Sequence, residues 1–502
     1  MSLAKCSIWV KNLEFLIRRD ALSGEPVYKS LARSIREAID SGSALPGSQM
    51  PAARQLAEQQ GTSTATVLRA YAYLTSLGYL QTLPKEGTFV AIPMSSANNT
   101  ADSRSAAVVR TTKWSEYAQR LITASSEQVG WHGDFSAAVP AGNLLPVQAW
   151  EKMVLKNRRC YSTDKAFLSY SDDPFGFPPL REALCEYLRR ARGLVLSPDR
   201  VILTSTSRTD QAARLLINVG DTVAIEDPWY PVSRRILMAH GPKLVTIPVD
   251  DHGMIVERLT NQMDGCALVC VSPSHQDPTG AIMSMERRQA LLEWAGHSDT
   301  FIWEHDFDSQ YFYDNKRLPA LQGLDKNDLV IYSGSFWVTM GPMARLGYLV
   351  VPERMTKVFG EMIQVLGNDL SMLEQYCLND FIREGHWERH IEKMRSVYSH
   401  RRQKLIFALK TILQELISVA ESSAGLHLTF RLRTALSDHA VMALAAQCNI
   451  SLISTAPYYL SKDRSGEFLW PYWALEEEQI EAAVAKLAVL LRQNSSSIDN
   501  SN

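Results

Sequence analysis

Apolar residues first fall into a helical rhythm at Leu31, Ile35 and Ile39, which share one face of the stretch from Tyr28 to Ile39. Side chains three and four apart stack on a helix, so this spacing predicts one. Gly42, Pro46 and Gly47 then break the period and predict its end near Ser41. A shorter helix is predicted from Ala52, with Leu56 and Ala57 as its apolar side. The turn Gly61–Thr66 feeds a third helix, in which Val67, Ala70, Tyr71, Leu74 and Leu77 form the expected buried stripe. Ser63 or Thr62 can cap its first amides. Its opposite side offers Ser63, Thr64, Thr66 and Arg69 to solvent near the start. Leu80 to Ala91 reads as a hairpin around Pro84-Lys85-Glu86-Gly87. Helix, helix, turn, helix and hairpin make the plan of a winged helix-turn-helix, whose third helix is slim enough to enter a DNA major groove. Gly87 would let the hairpin tip come close to the DNA backbone or minor groove.

The pattern then changes twice. Residues 93–128 begin with a polar run without large apolar side chains and are expected to be a flexible linker, with a short helix over Trp114 to Ile122. From about residue 129 to 492, amphipathic helices alternate with continuous apolar runs such as Arg200–Thr204, Thr222–Ile225, Ala267–Val271 and Thr300–Trp303. Such runs predict a mostly parallel sheet covered on both faces. The Ser/Asn-rich end, 493–502, is expected to be disordered. The first module is placed at 25–92.

Composition narrows the picture further. A chain of 502 residues with 46% hydrophobic content has room for several cores. No apolar run reaches the ~18 residues that a membrane span needs, and Met1 to Asp20 lacks the features of a secretion signal. A cytoplasmic protein without membrane contact is expected. The seven scattered cysteines form no C-x-x-C pair or zinc-like spacing, and are read as buried thiols with no metal. Net charge is −2, but residues 1–90 carry ten basic against seven acidic side chains. That slight bias suits double-stranded DNA as the partner of the front module alone.

The front module resembles the DNA-binding domains of the GntR family. The likeness rests on Pro26-Val-Tyr28, Leu45-Pro-Gly47, Met50-Pro51-x-x-Arg54-x-Leu56-Ala57, Thr66-Val67, Arg69-Ala70-Tyr71-x-x-Leu74 and Gly87-Thr88-Phe89-Val90. It implies that Arg54 clamps phosphate or base, and that Ser63, Thr64 and Thr66 face the groove beside Arg69, Lys85 and Gly87. Two departures stand out: threonine occupies position 64, where the family often has arginine, and Lys85-Glu86 fill a wing tip where small residues are common. Taken singly, Arg54 could be a surface ion-pair partner and the threonines mere helix-start residues.

The larger region resembles fold-type-I pyridoxal-phosphate aminotransferases, specifically those joined to GntR modules in the MocR subfamily. The motifs are Tyr170-x-Asp172-x-Pro174-x-Gly176, Ile202-Leu-Thr-Ser205, Gly220-Asp221-x-Val-x-x-Glu226-Asp227-Pro228-x-Tyr230, Pro273-Ser-His275-Gln276-x-Pro278-Thr279-Gly280, Arg345-Leu-Gly-Tyr348 and Gly425-Leu-His-Leu428. The resemblance implies an α/β fold-type-I domain with a smaller C-terminal α+β subdomain. Pyridoxal phosphate needs a lysine amine for its aldehyde, a carboxylate for its ring nitrogen, and amides or hydroxyls around its phosphate. Aligned on Phe336, Thr339, Pro342 and Arg345-Leu-Gly-Tyr348, the lysine position holds Val338. The ring-nitrogen carboxylate maps to His305 and the ring-hydroxyl tyrosine to Phe307. Ser205-Thr206-Ser207-Arg208 replaces the usual phosphate segment, and Arg345 keeps a position that would suit a phosphate.

No covalent cofactor is therefore expected, and no catalysis. Three roles for the large domain stay open: a dimerisation scaffold, a pocket for a small-molecule effector such as another small anion, or non-covalent pyridoxal phosphate held by Arg208, Arg345 and stacking on Trp229 or Tyr230. The whole chain reads as a homodimeric DNA-binding regulator. A working aminotransferase with a vestigial front module is the rival, and Val338 counts against it.

Overall fold

Helix α1, Val27–Asp40, buries Leu31, Ala32, Ile35 and Ala38, much as its periodicity predicts. The computed structural model describes residues 26–91, 114–126, 141–158, 173–204, 208–259, 263, 265–314, 317–367, 370–420, 422–461, 464–473 and 476–499. Within the front unit, α2 (Ala53–Gln59) and α3 (Thr64–Ser76) complete a three-helix core with Met50, Leu56, Val67, Ala70, Tyr71 and Leu74. Each fully buried aliphatic side chain there contributes roughly 1.5–3 kcal/mol. The Tyr71 hydroxyl donates to the Pro51 carbonyl at 2.9 Å and ties α3 to the start of α2. Leu77 does not join the buried stripe: α3 ends at Ser76, and Leu77 is its half-exposed cap. Strands β1 (Leu80–Leu83) and β2 (Gly87–Val90) form the expected antiparallel hairpin, with Leu80 opposite Val90 and Leu83 opposite Gly87.

The second unit begins with α4 (Glu116–Ser126), α5 (Val147–Asn157) and α6 (Pro178–Arg192). Helix α4 lies in the stretch expected to be linker, yet it is docked. Ala124 is buried, Arg120 Nε donates to the Ala239 carbonyl at 3.0 Å, and Tyr117 meets His240 edge-on at 5.4 Å. The remainder of the linker, 93–113, and residues 127–140 fall outside the described residues, as do Tyr170 and Asp172.

An eight-stranded sheet forms the centre of this unit. It consists of β3 (Val201–Thr204), β4 (Thr222–Asp227), β5 (Lys243–Asp250), β6 (Gly253–Met254), β7 (Leu268–Val271), β8 (Phe301–His305), β9 (Val330–Ser335) and β10 (Gly347–Val350). Their order is β3-β10-β9-β8-β7-β4-β5-β6. Strands β5, β4, β7, β8 and β9 run parallel, while β10 is antiparallel to both its neighbours and β6 is an antiparallel edge. The sheet is thus mixed, with the apolar runs read from the sequence at its parallel centre. Their side chains are buried on both faces because helices α7 (Arg208–Leu216), α8 (Pro231–His240) and α9 (Met285–Ser298) cross over between strands.

After the short helices α10 (Leu321–Leu324) and α11 (Trp337–Met340), the chain continues through α12 (Thr356–Leu366), α13 (Met372–Arg383) and the 27-residue α14 (His386–Ile412). A smaller antiparallel sheet follows, ordered β11 (Ile417–Val419), β12 (His427–Leu432), β14 (Glu467–Pro471) and β13 (Ile453–Ser454). It packs with α14, α15 (Asp438–Ala446) and α16 (Ile480–Asp499) around Leu405, Leu428, Trp470 and Val484. This matches the expected α+β subdomain. The end of the chain departs from expectation, since α16 runs on to Asp499 through the supposed disordered tail. A helix anchored by buried Ile480, Val484 and Leu487 extends at little further cost, because its nucleus is already formed. Among the described residues no helix is long and apolar enough to cross a membrane, and no group of three His, Cys, Asp or Glu could hold a metal ion. Cys185, Cys266, Cys270, Cys377 and Cys448 are free thiols.

Candidate functional site

The front unit presents α3 as its most regular exposed surface. The Ser63 hydroxyl accepts from the Thr66 amide at 3.1 Å and lies 2.8 Å from the Thr66 hydroxyl, so these two side chains are spent on capping the helix. Thr64 is exposed one residue further on. Arg69 is exposed too, but its guanidinium folds back over the Tyr28 ring, 4.3 Å from the centroid. Arg54 projects from α2 with 87% of its side chain exposed, 3.6 Å from Glu58. That pair is too solvated to hold it. At the hairpin tip Lys85 is exposed with φ of 67°, and Gly87 has φ of 122°. Any Cβ on Gly87 would fall 2.8 Å from Gln49 Nε2, which donates to the Glu86 carbonyl at 2.9 Å. Gly87 therefore has an internal packing reason as well as the expected one of close approach to DNA.

In the second unit, several expected pocket residues converge at the end of β8. His305 lies nearly parallel to Tyr230, centroids 6.4 Å apart, and 5.6 Å from the Phe307 ring. Burial, with the Arg208 guanidinium nearby, pulls His305 down to about 4, so the imidazole is neutral at pH 7; its Nδ1 is buried without a partner. Arg208 opens α7 and donates through Nε to Ser333 Oγ at 3.1 Å. No carboxylate pairs with it among the described residues, and burial lowers it to about 10, which leaves it charged. A side chain on Gly347 would collide with this guanidinium. Val338 sits on α11, 2% exposed, in the apolar cluster with Tyr311, Met394 and Leu426. Arg345 is exposed, with its guanidinium 5.7 Å from the Trp337 ring. Trp229 is fully buried among Ile225, Leu237 and Leu268 and offers no face to a ligand, contrary to the stacking role considered for it. Ser205 lies outside the described residues.

Comparison with known proteins gives both units a family. Residues 27–90 match the bacterial regulatory proteins of the gntR family, and residues 140–487 match aminotransferase class I and II. The chain is 32% identical to the probable rhizopine catabolism regulatory protein MocR of Rhizobium meliloti, over 84% of this chain and 85% of that one. It is 30% identical to the HTH-type transcriptional regulator YhdI of Bacillus subtilis, over 93% of this chain and 96% of the relative. The chain belongs to the MocR subfamily of GntR transcription regulators. As a MocR-type regulator it binds DNA through its winged helix and carries an aminotransferase-fold body. A kynurenine aminotransferase from Pyrococcus horikoshii shares that body's fold, with a TM-score of 0.65 and 23% identity over 76% of this chain and 96% of that one.

Pyridoxal phosphate does not fit this MocR-type pocket in the way its chemistry requires. By the family resemblance, the residue aligned with the amine is the buried Val338, that aligned with the ring-nitrogen carboxylate is the neutral imidazole of His305, and that aligned with the ring-hydroxyl tyrosine is Phe307. No lysine is buried among the described residues that could substitute. Asp306, a conceivable deputy carboxylate just past the end of β8, is already engaged by a buried arginine. It bonds Arg192 Nε at 2.8 Å and the Tyr332 hydroxyl at 2.5 Å.

Sequence reasoning also missed a buried polar cluster beside the rings. His275 Nδ1 bonds Asp308 Oδ2 at 2.9 Å, and its ring stands 6.0 Å from Phe307 and 5.0 Å from His427. Burial raises Glu226 to about 8 and Asp277 to about 7, and each keeps one oxygen without a partner. His275, Asp277 and Glu226 all lie in or beside motifs that carried the family likeness, but nothing local in the sequence foretold their protonation. It follows from how deeply they are buried in the folded chain.

Proposed function

We propose that this MocR-type regulator acts in the cytoplasm as a homodimer that places two winged helices on an operator, and that its aminotransferase-fold body is catalytically silent. The body then serves for dimerisation and for sensing a small anionic effector around Arg208, His305 and Tyr230. Closed symmetry supports the dimer, because it repeats the reading head over two half-sites. The observation that carries the silent-body reading is Val338: its side chain has no nucleophile and is packed in an apolar cluster. Arg208 supports the anion pocket, since a partly buried guanidinium without a carboxylate partner gains most from a ligand that neutralises it.

Three measurements test this. Incubation with one equivalent of pyridoxal phosphate followed by borohydride is expected to leave no site-specific reduced adduct on the peptide that contains Val338, which has no amine to form one. Val338→Lys is expected to show no transaminase turnover, because His305 and Phe307 still fail the ring; measurable turnover in that variant would overturn the view that the three positions were lost together, and turnover in the wild type would sink the silent-body reading. Millimolar phosphate or a small carboxylate is expected to raise the melting temperature of the wild type and not of Arg208→Leu. Equal shifts in both proteins would remove the anion pocket from the proposal.

A further inference from the structure

The operator-reading face of α3 has an unusual chemistry. Side chains that identify one base by strong directed hydrogen bonds are few: arginine or lysine paired to guanine, asparagine or glutamine paired to adenine, and aspartate or glutamate accepting from the cytosine amino group. Of these types α3 contains only Arg69, and that guanidinium rests over Tyr28. What the helix turns outward is mainly hydrocarbon. Leu68 is 55% exposed, Ala65 and Ala72 are exposed with it, and Thr64 adds a methyl group beside its hydroxyl. Thr64, Leu68 and Ala72 are spaced i, i+4 and i+8 and so form one row, with Ala65 next to it. The buried side of the helix, Val67, Ala70, Tyr71 and Leu74, is occupied by the core, and among the described residues this row is left exposed.

In a major groove the one apolar feature that distinguishes a base is the C5-methyl group of thymine. We propose that Ala65 and Leu68 read thymine methyl groups as the principal base-specific contact of this regulator, so that each half-site centres on thymines in an A·T-rich step. Backbone phosphates are then held by Arg54 and Lys85, which carry no sequence information. The inference rests on the DNA-reading role of the winged helix and goes beyond it, by naming the determinant of sequence choice.

The test starts with selection of bound duplexes from a random pool by the full-length protein. In the selected operator, single thymines of each half-site are then replaced by deoxyuridine, which removes only the methyl group. Affinity is expected to fall about fourfold for each contacted methyl, the value of burying one such group. Leu68→Ala should bind the thymine and deoxyuridine forms of its contacted position equally while retaining salt-sensitive non-specific binding. Its side chain is outside the core, so the helix remains folded. A selected operator indifferent to every deoxyuridine replacement overturns the inference alone. A guanine-centred operator whose recognition is lost in Arg69→Ala overturns it in favour of guanidinium readout. Failure to enrich any sequence overturns this inference together with the operator-binding reading.

Discussion

Arg54→Ala is expected to weaken operator binding by about a hundredfold while leaving the oligomer intact. A charge-assisted hydrogen bond to phosphate is worth roughly 1.5–3 kcal/mol, and the proposed dimer loses it twice, so about 3 kcal/mol corresponds to two orders of magnitude. Arg54 is 87% exposed on α2 and its contact with Glu58 is 3.6 Å long, so the substitution removes nothing that the fold needs. The slope of log affinity against log salt should also become shallower by about 0.9 for each lost contact. Fluorescence anisotropy across a salt series, together with sedimentation of the free protein, checks both halves of the expectation. Unchanged affinity would remove Arg54 from the DNA interface.

The second large effect lies inside the body. Asp306→Ala is expected to destabilise the protein by about 3–5 kcal/mol, because it strands a buried guanidinium. Arg192 and Asp306 are 2% and 1% exposed and meet at 2.8 Å. Arg192 also donates to Ser274 Oγ, and Asp306 accepts from the Tyr332 hydroxyl. Burial by itself would lower the Arg192 guanidinium, yet the Asp306 charge and then Tyr332 hold it above its ordinary value. The pair ties the end of α6 to the chain just past β8, immediately behind His305. Loss of Asp306 should therefore loosen the rings of the pocket as well as the sheet. Urea denaturation followed by far-ultraviolet circular dichroism measures the loss, and a change below about 1 kcal/mol would contradict the ion-pair assignment.

Much of this architecture was legible because the signals were local and periodic. The spacing of Leu31 and Ile35, the stripe Val67–Ala70–Tyr71–Leu74 and the turn at Pro84–Gly87 each predicted an element the fold contains. The central strands were legible as unbroken apolar runs. What failed was direction and partner. Leu77 satisfied the period of α3, but the helix had already ended. Arg345 kept its family position but is exposed beside Trp337, and Trp229 lay next to Tyr230 in sequence but is sealed inside the core. The docking of the linker helix, which the sequence did predict as a helix, and the last turns of α16 were hidden because polar composition says little about a neighbouring surface or an already nucleated helix.

The amino-acid order alone determined that a DNA-reading head precedes an aminotransferase-like body, and which residues, Val338, His305 and Phe307, align with the three groups the cofactor's chemistry calls for. Those are questions of residue identity, fixed before folding. Tertiary structure alone decided which side chains remain available: Ser63 goes to a helix cap, Arg69 to an aromatic ring and Asp306 to a buried arginine, whereas Leu68 keeps an outward face and Arg208, bonded to Ser333, meets no carboxylate among the described residues. Burial and proximity between residues far apart in the chain set those assignments, and they also set whether His305 or Glu226 carries charge.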